Sequence, residues 1–230
     1  MTSARPNCMR RVLSFALISS VAVLLGALRL PATPAAGAEP PAAGSKYIGA
    51  AKCATCHESD AVGNQDAKWK ASKHAAAFAT LATDEAKELA KAKGIEDPQK
   101  ADACLKCHVT AFGVPAEEIA KGFDPALGVQ CESCHGPGEA HMKARVAAVA
   151  KAGGGKPAPV AAGEINSVVG ADTCTKCHNK ESPSFKGFCF PARHAQIVHL
   201  NPGKERTPEE VKKLTEGCTT PDCKDCAGGG

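Results

Sequence analysis

Apolar residues along this chain form one long block near the start and only short, broken groups afterwards. The block covers residues 12–28, with Arg5, Arg10 and Arg11 before it and the small residues Ala36, Gly37 and Ala38 after it. A basic start, an apolar run and a small-residue site together predict a secretory signal peptide over residues 1–38, with a mature chain beginning near Glu39. An uncleaved anchor is the alternative, because the run falls just short of the roughly 20 residues that span a bilayer. Cys8 precedes the run, which argues against lipid attachment, and Arg10-Arg11 is only weakly like a twin-arginine signal.

Downstream, helical patterns are brief. Residues 84–93 are rich in Ala, Glu, Leu and Lys and stop at Gly94, and residues 138–152 carry His141 with Val146 and Val149 before Gly153-Gly154-Gly155. Thr207-Pro208-Glu209-Glu210 is a capping box with proline at the first helical position, starting a helix to about Glu216. Alternating strand patterns are nearly absent, and residues 153–163 read as a Gly/Pro/Ala linker. The expectation is a mostly α, loop-rich fold.

Composition makes such a fold hard to stabilise by itself. The chain has seven Phe, one Trp and one Tyr, and much of its 43% hydrophobic content is Ala and Cys. Apolar burial contributes only about 25 cal/mol per Å², so a core of such small side chains is thin and something else must fill it. Charge adds little. The formal +4 of the whole chain comes from four arginines within residues 1–38, which leaves the rest balanced. No basic face with interleaved aromatics is evident, so no nucleic-acid partner is expected.

The cysteines identify the filler. Cys53-Ala-Thr-Cys56-His57, Cys104-Leu-Lys-Cys107-His108, Cys131-Glu-Ser-Cys134-His135 and Cys174-Thr-Lys-Cys177-His178 are four copies of C-x-x-C-H, the attachment pattern of c-type haem. Two thiols three positions apart can add to the two vinyl groups of one porphyrin, and the adjacent imidazole then reaches the iron. A single C-x-x-C would also fit a disulfide, a redox pair or half of a zinc site, but zinc sites do not require His after every second Cys. Four haems held by those eight cysteines, with His57, His108, His135 and His178 as iron ligands, are therefore expected.

Second ligands follow by counting. Met142 is the only methionine outside the signal, so Met/His ligation can serve at most one iron. His74, His141, His194 and His199 remain, and mainly bis-His ligation is expected. His194 and His199 are five apart, off the i, i+4 spacing of one helix face, so one iron should not use both, and His199 is favoured.

Cys189, Cys218, Cys223 and Cys226 are left over. In an oxidising compartment their even number points to one or two disulfides, while a redox dithiol or a metal site is the less simple reading. Cys223-Lys-Asp-Cys226 is followed by Ala227, so no fifth haem is counted. The expected organisation is a tetrahaem domain over residues 39–217 and a Cys/Gly-rich tail over 218–230.

Three stretches carry a resemblance. Residues 128–138 (Gly-Val-Gln-Cys-Glu-Ser-Cys-His-Gly-Pro-Gly), Cys107-His108-Val109 with Phe112-Gly113, and Trp69 followed by Ser72-Lys73-His74-Ala75 together resemble the cytochrome c-554 family, over roughly residues 50–200. Those tetrahaem proteins carry electrons from hydroxylamine oxidoreductase in ammonia oxidisers. C-E-S-C-H-G-P-G also looks like other multihaem proteins, including extracellular filament cytochromes and octahaem oxidoreductases.

The resemblance implies closely stacked haem pairs, three bis-His haems and a five-coordinate second haem. Carried over by position, it sets His141 opposite His57, His74 opposite His135 and His199 opposite His178, leaving His108 alone and His194 spare. The short interval after His178, Cys189 and the Cys-rich tail depart from the family type.

The functional expectation is a periplasmic carrier moving electrons from a haem-protein donor to a quinone-linked or terminal acceptor, associated with a membrane only if the leader stays attached. Two alternatives stand beside it. One is a haem enzyme acting on a small nitrogen compound at an open iron; the other is a subunit of an extracellular cytochrome filament.

Overall fold

The structure, a computed structural model, describes residues 44–210. The signal segment, Cys218, Cys223, Cys226, the C-terminal tail and most of the helix expected after Thr207 lie outside the described residues. The start of that helix is present, with the capping box closed in both directions: Thr207 N–H donates to the Glu210 carboxylate, and Glu210 N–H donates to the Thr207 hydroxyl.

Besides that start, nine α-helices order the described chain: α1 Ala50–His57, α2 Gln65–Lys70, α3 Ala77–Thr80, α4 Asp84–Lys91, α5 Asp102–His108, α6 Glu132–His135, α7 Glu139–Ala152, α8 Ala171–Cys174 and α9 Phe190–Ile197. Between them run turns and extended loops. Among the described residues strand pairing is limited to one isolated parallel bridge, Tyr47 with Ile119.

Local chemistry explains the two helices legible in the pattern. The Thr83 hydroxyl accepts from Ala86 N–H at the start of α4, Asp84 and Glu85 occupy its first turn, and Lys91 lies in its last, each matched to the helix dipole. α7 stops at Gly153 in the left-handed region, φ 54°. Its Val146 and Val149 are more than half exposed.

The C-x-x-C-H segments are all helical turns, which the sequence pattern did not announce. α1 and α5 each contain a whole motif, α6 begins just after Cys131, and α8 ends at Cys174. In the last two the histidine N–H still returns to the first cysteine's carbonyl, His135 to Cys131 and His178 to Cys174, both at 3.0 Å. A helical turn puts residues three and four apart on one face, so both thiols and the imidazole of each motif share a side.

Residues 128–132 tie these turns together. Glu132, 3% exposed, accepts from Ile48 and Gly49 N–H before α1 and from Gly138 N–H before α7. Its neighbour Gln130 accepts from Ala50 N–H. The helices therefore receive from distant side chains the caps that they lack locally. Val129 accepts from the Trp69 indole N–H and donates to the His74 carbonyl, and Thr110, just past the second motif, receives Gln130 N–H at 2.6 Å. The buried apolar residues are few and mostly small or isolated: Ile48, Ala50, Trp69, Leu81, Ala90, Cys189 and Phe190.

Candidate haem-binding site

Three histidine pairs face one another, each joining a motif histidine to one outside the motifs. His57 and His141 have ring centres 6.3 Å apart, His74 and His178 are 6.0 Å apart, and His135 and His199 are 5.9 Å apart. Metal–imidazole bonds of about 2.0–2.1 Å on opposite sides of one ion separate the ring centres by roughly 6 Å. Ordinary aromatic pairs also occur at such distances, but chance would not match motif to non-motif histidines three times. Among the described residues no three or more His, Cys, Asp or Glu side chains converge on a common metal position.

The hydrogen bonds of the rings fit the same role. Nδ1 of His57 meets Gln65 Oε1, His108 the Ala77 carbonyl, His135 the Asn166 carbonyl, His141 Glu164 Oε1 and His199 the Ile197 carbonyl. An acceptor at Nδ1 fixes the proton there and leaves Nε2 for an iron. Burial lowers the pKa of His74, His135, His141, His178 and His199, which favours the neutral imidazole that ligation needs.

A cavity of about 330 Å³ opens among these groups, lined by Cys53, Cys56, His57, Trp69, Cys134, His135, His141, Cys174 and His199. It lies where the thin protein core leaves space, beside thiols of three motifs. The thiols also meet across motifs. Cys53 Sγ donates to the Gly49 carbonyl and lies beside Cys131, and the neighbouring thiol together with burial raises its pKa; burial first, then Cys107, pushes Cys177 up to about 11. Burial and the nearby Cys174 push Cys134 up to about 12. First and third motifs are thus neighbours, as are third and fourth, and fourth and second.

Two expected pairings are corrected. His74 faces His178, not His135, and His199 faces His135, not His178. The chain after α9 accounts for the second change: the Leu200 carbonyl packs directly on Gly63, where a side chain would collide with it, so residues 198–201 return to the loop between α1 and α2. His199 is carried with them, away from His178. His178 instead stacks on Phe188 at 4.8 Å and has His74 on another side.

Among the described residues no second imidazole faces His108. His194 rests on Phe190, ring centres 4.9 Å apart. Cys189 is buried at the start of α9. Sequence reasoning did not single out Gln65, Asn166 or Glu164. Only Glu164 left a trace, as the sole acidic residue between Glu139 and Asp172.

Residues 52–136 match the family model described as cytochrome c554 and c-prime, a span that includes three of the four motifs. Cytochrome c-554 of Nitrosomonas europaea is 34% identical over 159 residues, covering 65% of this chain and 65% of the relative, just under two thirds of its length. No solved structure matches the chain. Three of the motif turns, two of the three ring pairs' motif histidines and both matches thus fall in one region, where the chain is similar to the cytochrome c554 and c-prime family and to a cytochrome c-554.

Proposed function

We propose that this protein is an exported, periplasmic electron carrier that holds four haem c groups, three with paired histidines and one at His108 with a single protein ligand. The observation that carries this reading is the threefold match of one motif histidine to one other histidine at about 6 Å. Each bound haem iron supplies a one-electron couple. The protein attaches the porphyrins through the eight motif cysteines, holds the imidazoles neutral and oriented, and surrounds the groups with the little apolar surface it has. The thiol contacts favour a succession of first, third, fourth and second sites. Partners would be a haem-protein donor and a quinone-linked or terminal acceptor, meeting the carrier transiently.

Electron paramagnetic resonance of the fully oxidised protein tests the ligand set. Three low-spin ferric haems and one high-spin haem are expected, with a protein mass increased by four haems. Four low-spin signals, or two or more high-spin ones, would overturn it.

A second reading is favoured by one observation, the absence of a facing imidazole at His108 among the described residues. An open iron there would bind a small nitrogen compound. Adding nitric oxide should then change only the high-spin signal, and a spectrum unaltered by nitric oxide would remove the enzymatic reading.

A further inference from the structure

Among the described residues five histidine rings have a hydrogen-bond partner at Nδ1, and one partner differs in kind. Gln65 offers an amide oxygen to His57, and His108, His135 and His199 meet neutral backbone carbonyls. Among the described residues His141 alone meets a carboxylate, Glu164 Oε1 at 2.8 Å. The side chains are 16% and 8% exposed, so water screens the contact weakly.

The arrangement is built from two parts of the chain. α7 carries His141 and Arg145 one turn apart on the same face. Residues 153–163 lead the chain back over that helix, where Arg145 Nη1 donates to the Ala158 carbonyl at 2.7 Å. Arg145 Nη2 donates to Glu164 Oε2 at 2.7 Å, and Nε lies 2.6 Å from Oε1, close enough for an ion pair but not aligned as a hydrogen bond. Ala161 N–H closes the loop on Oε2. His141, the carboxylate and the guanidinium therefore form one line of contacts leading outward from the ring that faces His57.

A carboxylate at the far nitrogen of a ligating imidazole raises its basicity and stabilises the more positive metal state. The adjacent guanidinium acts in the opposite sense. We propose that Glu164 is a positioning residue for the haem ligand His141, and that the Glu164–Arg145 pair sets the potential of the first haem below those of the other paired-histidine haems. The inference rests on the bis-His reading of that site given above.

Neutralising each partner separates this role from simple stapling of the loop to α7. In E164Q the shape and an oxygen acceptor are kept but the charge is lost. One couple should rise, with at least a tenfold change in the ferric-to-ferrous ratio at fixed poise, about 59 mV for one electron. In R145Q the same couple should fall, because the carboxylate is no longer countered. The couple is identified as the one whose low-spin signal vanishes in His141→Gly, in a titration followed by electron paramagnetic resonance. In the unaltered protein, one low-spin haem should show a near-infrared charge-transfer band at higher energy than the other two.

Shifts in the same direction for both variants, equal shifts of all couples, or no shift would overturn the proposal. So would three indistinguishable near-infrared bands, which can be sought even if a variant does not fold. Fewer than three low-spin haems in the unaltered protein would instead defeat the bis-His reading itself.

Discussion

Gly128 shows how much a single position decides here. Its backbone is at φ 75° and ψ −138°, a region essentially closed to residues with a Cβ. A Cβ would lie 2.7 Å from the His74 carbonyl oxygen, the same oxygen that receives Val129 N–H at 3.0 Å. Gly128→Ala therefore meets backbone strain and a collision with the segment that carries a proposed ligand. A loss of about 1–3 kcal/mol is expected from the strained backbone alone. Chemical denaturation should show that loss, and the low-spin signal assigned to the His74–His178 site should weaken while the others persist.

Glu132 is the residue through which elements depend on one another. Burial pushes its carboxyl above the usual value even though three backbone N–H groups hydrogen-bond to it. By accepting from them the carboxylate caps the starts of α1 and α7, which carry His57 and His141. Replacing a capping side chain by alanine costs about 1 kcal/mol per helix, up to about 2, so Glu132→Ala should cost about 2–4 kcal/mol and loosen both sides of the first site. Thr83→Ala, at the exposed start of α4, should cost only about 1 kcal/mol. Denaturant midpoints of the two variants check the contrast, and only Glu132→Ala should disturb the haem spectra.

The same two helices mark what the sequence could show. α4 was legible because its start, charges and stop are local, so residues 84–93 approximate Asp84–Lys91. The motif helices were not legible, since Ala-Ala-Lys-Cys-Ala-Thr-Cys-His has no amphipathic rhythm and its N-terminal donors are met by residues some 80 positions away. Motif spacing identified the cysteines and histidines themselves, because that chemistry is local too. Which distant histidine meets which motif is set by chain return, such as Leu200 packing on Gly63, and this leaves no periodic trace. Glu164 escaped notice for the same reason, at the end of a segment that reads as a plain linker.

At the scale of the molecule, the histidines make stability a function of pH. Burial lowers the folded pKa of His74, His135, His141, His178, His194 and His199 below the ordinary 6.5. Unfolding exposes these rings, and below pH 6.5 the unfolded chain binds protons that the folded chain does not. Stability therefore rises with pH wherever the unfolded state holds more protons. The contribution is complete above the unfolded value of 6.5 and is lost as pH falls through 6.5 towards the lowered folded values. Iron ligation at the proposed sites would widen the window, because a ligating imidazole cannot also be protonated. Denaturation of the holoprotein followed by its visible circular dichroism should thus give a clearly lower midpoint at pH 5.5 than at pH 7.5. Equal midpoints would show that the rings are not held neutral by the fold, and the pairing geometry would lose its chemical support.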